Sequence, residues 1–193
     1  MEKDKELYRE FIKGNNDALN ELIKMYRTEL VYFIQKFVND THATEDISQE
    51  AFVYLLQHKE IYDFKYSFKT YLFTIGKSRA LNYIKSRKKV VFIEDNVERT
   101  LGEITDVEED FCNKCDSLLV KEAIKKLKKE YQFVICLVDL NGLSYEETAI
   151  VMNKSISQVK SLIHNARKRL KVFLEEERKE EVEHSEIDGG VYK

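Results

Sequence analysis

Proline and tryptophan are absent from the 193 residues, and glycine occurs only six times. Proline removes a backbone donor and breaks helix interiors, so a chain without it suits an all-helical build. Cysteine is scarce as well: Cys112, Cys115 and Cys136 are too few for a disulfide framework. Cys112-Asn-Lys-Cys115 has the spacing of a metal or redox pair. No second pair or histidine pair completes a site, and reduced thiols in a linker are the better reading. Cys136 lies in an apolar helical segment and reads as core. No apolar run approaches a membrane span, and the opening MEKDKELYRE has no signal-peptide core. A cytoplasmic chain without membrane insertion is therefore expected. Gly-rich phosphate loops, nucleophile constellations and metal-ligand clusters are also missing, so no catalytic residue, metal or cofactor is expected.

What the chain has is charge, 35% of its residues, with a net of −3. That average suits a nucleic-acid binder poorly, but the charge is segregated. Residues 65–89 hold eight Lys/Arg and no acid, and residues 154–174 hold six and no acid. Between them, residues 93–116 carry nine acids against Arg99 and Lys114, and residues 175–193 carry eight acids against three bases. Alternating blocks of this kind point to two surfaces that face an anionic polymer, separated and followed by acidic segments.

The second basic block belongs to a stretch that reads as two helices and a tight turn. Ser144-Tyr-Glu-Glu147 and Ser155-Ile-Ser-Gln158 are capping boxes, so one helix must stop near Met152 before the next begins. Asn153, which tolerates a left-handed backbone, is placed to make the turn. In the second helix Ile156, Val159, Leu162, Ile163, Ala166 and Leu170 form an apolar stripe, and Ser157, Lys160, Ser161, His164, Arg167 and Lys168 take the other face. A short helix, a tight turn and a longer cationic helix make a helix-turn-helix, whose second helix enters the major groove. The same pattern also describes a plain helical hairpin with a solvated basic face.

Ahead of it, a helix is expected near Lys3 to Lys13, then a break at Gly14-Asn-Asn16, with Asp17 capping a long helix to about Val38. A third helix, from about His42 to Gln57, turns Ala43, Ile47, Ala51, Phe52, Leu55 and Leu56 inward. It leaves Glu45, Asp46, Gln49 and Glu50 together outside. Such a face is most often simply solvated, but it also suits a basic partner, and periodicity does not decide. His58 to Ser67 is an aromatic loop, followed by a helix from about Ser67 to Lys89. Tyr62, Phe64, Tyr66 and Tyr71, interleaved with Lys65, Lys69, Lys77, Arg79, Lys85 and Arg87, suit single-stranded nucleic acid, whose bases stack on rings while cations track phosphates. Phe68, Leu72 and Ile75 read as core. Further helices are expected over Asp116 to Lys129 and Tyr131 to Leu140, the latter ended by Asn141-Gly142. After Leu174 the chain is expected to fray into an acidic tail.

Three stretches, in order, carry a family resemblance. The run from Ala43 to Phe52, ATEDISQEAF, resembles the D-A-E-D-x-x-Q-E-x-F helix of bacterial sigma factors of the extracytoplasmic-function type, the initiation subunits of RNA polymerase. The run from Ser67 to Arg87 is similar to that family's promoter-melting helix, F-x-x-W-L-x-x-I-A-x-N-x-x-x-D-x-x-R. Tyr71 stands in the tryptophan's place, Ser78 in the asparagine's and Asn82 in the aspartate's. Leu143, Ser144, Glu147 and Ala149, then Val159 to Ser161, then Ala166, Arg167 and Leu170 fit the family's reader of the upstream (−35) element.

The resemblance implies an all-α fold of two small helical domains. Residues 1–92 would bind core polymerase, recognise the −10 element and melt it; 93–115 would be an acidic linker; 116–175 would read −35 through the helix-turn-helix; 176–193 would be an acidic tail. It implies core RNA polymerase and promoter DNA as partners, both as duplex and as melted non-template strand, and an anti-sigma factor as a further one. Asp46, Gln49 and Glu50 would grip the polymerase clamp. Phe64, Lys65, Lys69, Tyr71, Arg79, Asn82 and Lys85 would hold the melted strand, while Ser157, Gln158, Lys160, Ser161, His164, Arg167 and Lys168 would meet the −35 duplex. Fully extended, a linker of about 24 residues reaches at most roughly 80 Å, enough for two domains to touch separate promoter elements. The rival readings are a stand-alone helix-turn-helix regulator, opposed by the clamp and melting helices, and a sigma-like coactivator, opposed by both DNA domains lying in one chain.

Overall fold

The computed structural model describes residues 2–91 and 118–188, with side chains described over 3–87 and 119–176. The acidic linker, the Cys112/Cys115 pair and the expected start of a helix at Asp116 lie outside the described residues. These comprise eight α-helices and one π-helical turn, with no strand among them. In chain order they are α1 (Glu2–Ile12), α2 (Asn16–Gln35), α3 (Thr41–Gln57), α4 (Phe68–Val91), α5 (Leu118–Lys125), α6 (Lys129–Ile135), the π turn (Cys136–Leu140), α7 (Tyr145–Met152) and α8 (Ile156–Asp188).

The first four helices pack around rings and branched side chains: Tyr8, Leu22, Leu30, Phe33, Ile34, Leu55, Phe68, Leu72 and Phe73 are all fully buried. Asp4 ties α1 to α2 by accepting the Tyr26 hydroxyl at 3.0 Å. Asn15, rather than Asp17, caps α2, because its side-chain oxygen accepts the Asp17 amide at 3.1 Å. Asp17 is thereby moved into the first turn, where its charge favours the helix dipole. Leu56, expected inside, is 47% exposed. Successive helical residues lie about 100° apart, and buried Leu55 already takes the inward direction at that turn. Where α4 crosses α2, Gly76 allows the close approach: a Cβ there would lie 2.7 Å from Leu30 Cδ1. Gly76→Val is expected to overpack this crossing and destabilise the fold by about 1–3 kcal/mol, read as a lower midpoint in chemical denaturation.

A second core gathers Ile124, Leu127, Val134, Ile135, Ala149, Val159, Ile163 and Ala166. Its first helix ends at Lys125 rather than near Lys129. The Gln132 side chain donates to the carbonyls of Lys125 (3.0 Å) and Leu127 (2.8 Å), holding the chain in a turn that drops Leu127 into the core. The helix expected to Leu140 widens into a π turn instead. There both the backbone amide and the side-chain amide of Asn141 donate to Cys136 O, at 3.0 and 2.8 Å. Gly142, at φ +68°, then releases the chain. Beyond Leu174 the backbone does not fray but stays helical to Asp188. Glu, Lys and Arg are good helix formers, Lys171 and Glu175 pair one turn apart at 3.8 Å, and no glycine intervenes before Gly189.

The two groups of helices touch, with α7 lying on α4. Leu137, Leu143 and Val151 join the core of the first four helices. Phe37 stacks on Phe133 with ring centroids 4.2 Å apart.

Candidate nucleic-acid interface

Both capping boxes are formed. Ser144 Oγ accepts the Glu147 amide and Glu147 Oε2 accepts the Ser144 amide, each at 3.1 Å. Ser155 Oγ accepts the Gln158 amide at 3.2 Å, and Gln158 Oε1 accepts the Ser155 amide at 2.8 Å. Asn153 sits between them in the left-handed region, at φ 54° and ψ 51°. Val159, Ile163 and Ala166 are buried, which turns Ser157, Lys160, Ser161, His164 and Lys168 outward along the opposite face of α8. Ile156, placed inward by the periodicity, is 40% exposed, because at the first position of α8 its side chain leans beyond the end of the core. Gln158 spends its amide oxygen on the cap. Arg167 is forked onto Asp139, Nε donating to Oδ2 at 3.2 Å and Nη2 to Oδ1, so its planar donors are already engaged.

On α3, Asp46, Gln49 and Glu50 are exposed on one outer face, and Glu45 is half-buried. The same face continues into Val53 (46% exposed) and Leu56 (47%), giving an acidic stripe that becomes apolar. The spacing of Asp46, Gln49, Glu50 and Val53 (i, i+3, i+4, i+7) was the available signal for Val53.

The aromatic loop divides. Tyr62 is buried and stacks on Tyr71 at 5.0 Å, so it belongs to the core side. Phe64, at φ 60°, is half-buried against Tyr8, with the Arg9 guanidinium 4.9 Å from its ring. Lys65, Tyr66, Asn82 and Lys85 are exposed. Arg79 lies over the Tyr54 ring at 5.0 Å. Half-buried Tyr71 turns its hydroxyl into a buried position without a protein partner, and burial raises its pKa. A crevice of about 200 Å³ opens beside it, lined by Tyr62, Tyr66, Thr70, Tyr71 and, from α7, Ile150. Lys69 pairs with Glu29 at 2.6 Å and donates to Asn141 O at 2.9 Å. Lys77 donates to Val151 O at 2.9 Å; burial, and then the nearby Lys154, lower its pKa. Glu147 accepts the Thr70 hydroxyl at 2.9 Å. Burial raises its pKa, but hydrogen bonds from Ser67, Ser144 and Thr70 outweigh that and hold the carboxylate below its ordinary value.

A helix-turn-helix with a polar, cationic outer face, joined to a second helical unit bearing its own basic helix, defines a DNA-binding factor. Residues 22–90 match the model of sigma-70 region 2, and residues 117–170 match that of sigma-70 region 4. The chain belongs to the sigma-70 family, as a sigma factor of the extracytoplasmic-function type that acts in transcription initiation. It is 27% identical over 169 residues to the RNA polymerase sigma factor YlaC of Bacillus subtilis, covering 86% of this chain and 98% of that one. It is 28% identical to the ECF RNA polymerase sigma factor SigM of the same organism, over 81% of this chain and 94% of that one. Its fold matches that of the sigma factor RpoE from Bartonella quintana, solved with the anti-sigma factor NepR, at a TM-score of 0.65 and 22% identity, over 81% of this chain and 96% of that one. CnrH, solved with the cytosolic domain of CnrY, matches at a TM-score of 0.62 and 21% identity over 90% and 97% of the two chains. Among the described residues no helix is long and apolar enough to cross a membrane.

Proposed function

We propose that the chain divides its sigma-factor work among three faces. Asp46, Gln49 and Glu50 bind core polymerase. Phe64, Lys65, Lys69, Tyr71, Arg79, Asn82 and Lys85 hold the melted non-template strand near −10. Ser157, Lys160, Ser161 and His164 meet −35 base edges, and Lys168 holds phosphate, with Arg167 joining it only by sharing or leaving Asp139. Gln158 serves the helix cap and meets DNA through its amide nitrogen. The working boundaries are 1–92, 93–115, 116–175 and 176–193. The protein acts in the cytoplasm, makes no bonds itself, and is held in check by an anti-sigma factor, as RpoE is bound by NepR.

The observation that carries this reading is the doubly capped helix-turn-helix, with Ser157, Lys160, Ser161 and His164 exposed on one face of α8. Run-off transcription with purified core polymerase over a set of promoter fragments tests it. A discrete transcript that depends on this protein is expected. Binding to duplex DNA with no polymerase-dependent transcript would favour a stand-alone regulator.

A further inference from the structure

Two cations of α1 converge on one residue of the aromatic loop. Lys5 and Arg9 lie a turn apart on the same face of that helix. The Lys5 ammonium donates to the Phe64 carbonyl at 2.9 Å, across 59 positions of the chain. The Arg9 guanidinium lies 4.9 Å from the centroid of the Phe64 ring. Tyr8, fully buried between them in sequence, meets the same ring in an edge contact at 6.1 Å. Backbone and side chain of Phe64 are thus both held from α1. The match to sigma-70 region 2 begins at residue 22 and gives α1 no role.

This hold has something to oppose. At φ 60° Phe64 sits in the left-handed region, where a Cβ crowds the backbone and glycine is the usual occupant. A bulky residue stays there only when its surroundings over-determine it. The loop supplies part of that constraint itself. The Tyr62 hydroxyl donates to Tyr66 O at 2.6 Å, Asp63 Oδ1 accepts the Lys65 amide at 3.0 Å, and the Tyr62 ring lies 4.5 Å from that of Phe64. None of these three contacts reaches a helix; the Lys5 and Arg9 contacts do.

The direction of the chain at Phe64 sets where the next two side chains emerge. Lys65 and Tyr66 are exposed, with the Lys65 ammonium 5.4 Å from the Tyr66 ring, and Tyr66 and Asp63 line the crevice beside Tyr71. Released from α1, Phe64 would relax to an ordinary backbone region, and the residues after it would be redirected away from that crevice.

We infer that Lys5 and Arg9 are positioning residues for the loop that receives the melted strand: they hold Phe64 left-handed, so the loop is formed before DNA arrives. Neither needs to touch a base. The inference rests on the sigma-factor reading for what the loop binds. Its core, that α1 fixes Phe64, is tested without polymerase. A loop that is competent only part of the time binds in proportion to that fraction.

Lys5→Met with Arg9→Met removes the donor and the cation while keeping aliphatic length. The fold should hold, because α1 is anchored by buried Tyr8 and Phe11 and by Asp4 on Tyr26. Fluorine NMR of the full chain, labelled with 4-fluorophenylalanine, reports on its 11 phenylalanines, and Phe64→Leu assigns the resonance of interest. In the double variant the Phe64 signal should move, while those of buried Phe33 and Phe73 stay in place. Lys5→Arg, which keeps a donor for the carbonyl, should leave the Phe64 signal as in wild type. A Phe64 signal that the double variant leaves unmoved overturns the inference.

The second arm reads function in the polymerase holoenzyme, on promoter libraries randomised over −10 or over −35. The double variant should compress the spread of −10 preference about fivefold, as when the competent fraction of the loop falls to about a fifth, and leave the −35 spread unchanged. Lys5→Arg should follow wild type. Arg9→Gln alone, at an exposed position, does not depend on the double variant folding and should compress the −10 spread about twofold. A moved Phe64 signal with −10 preference intact overturns the positioning role and leaves the sigma-factor reading standing. Absence of any transcript with the wild type would instead contradict that reading, while the fluorine signals still decide whether α1 fixes Phe64.

Discussion

Reversing Asp46, Gln49 and Glu50 to lysine should weaken binding to core polymerase by on the order of a hundredfold or more, because like charges set against a basic partner cost several kcal/mol. The fold should survive. All three side chains point to solvent from α3, whereas the helix is held by Thr44, Ile47, Ser48, Ala51, Phe52 and Leu55 on its buried face and by the Asp40 cap on the Ala43 amide. Helical content by circular dichroism should therefore match wild type while affinity for core, read by competition, collapses. Unchanged affinity in the reversed protein would remove α3 as the clamp contact. The exposed Val53 and Leu56 extend the same face, so a partner that grips the acids would also cover apolar surface a turn further on.

Lys160→Ala and Lys168→Ala should separate sequence reading from simple adhesion. Both are exposed on α8, but Lys160 lies in the N-terminal half, the half that approaches base edges in a helix-turn-helix, and Lys168 lies two turns further on. In the polymerase holoenzyme, titrated against a library of altered upstream elements, Lys160→Ala should relax preference at one or two positions, at ~1–3 kcal/mol each. Lys168→Ala should weaken all sequences alike and lower the salt slope by about one. The opposite assignment would mean that α8 docks in another orientation. Arg167 is the instructive control: forked onto Asp139, it should give a smaller salt-slope change than Lys168 when replaced by alanine.

The features that could be read from the sequence are those that a side chain fixes within a few residues. The two capping boxes and the left-handed Asn153 are complete local devices, and their spacing alone dictated a helix, a turn and a helix. The buried face of α3 followed from periodicity, except at Leu56 near its end. What stayed illegible depended on partners far along the chain. Lys69 and Lys77 carry the sequence signal of phosphate contacts, and nothing in that signal discloses that each donates to a carbonyl more than 70 residues along the chain. Arg167 looked free for the same reason, its carboxylate lying 28 residues earlier. The exchange of Asp17 for Asn15 as the cap of α2 turned on which oxygen the backbone presents to an amide. Either residue type would have suited the sequence rule.

The unbroken run of α8 to Asp188 fixes where the last acidic block sits in relation to the DNA the same helix would read. Eleven residues separate His164 from Glu175, the first acid of that block, and at ~1.5 Å per residue that is about 17 Å of helix. The Debye length at physiological ionic strength is about 8 Å. A frayed tail would sweep its carboxylates back over the groove. A helical backbone instead runs on along the axis, which holds the exposed Glu175 and Glu176 about two screening lengths from His164.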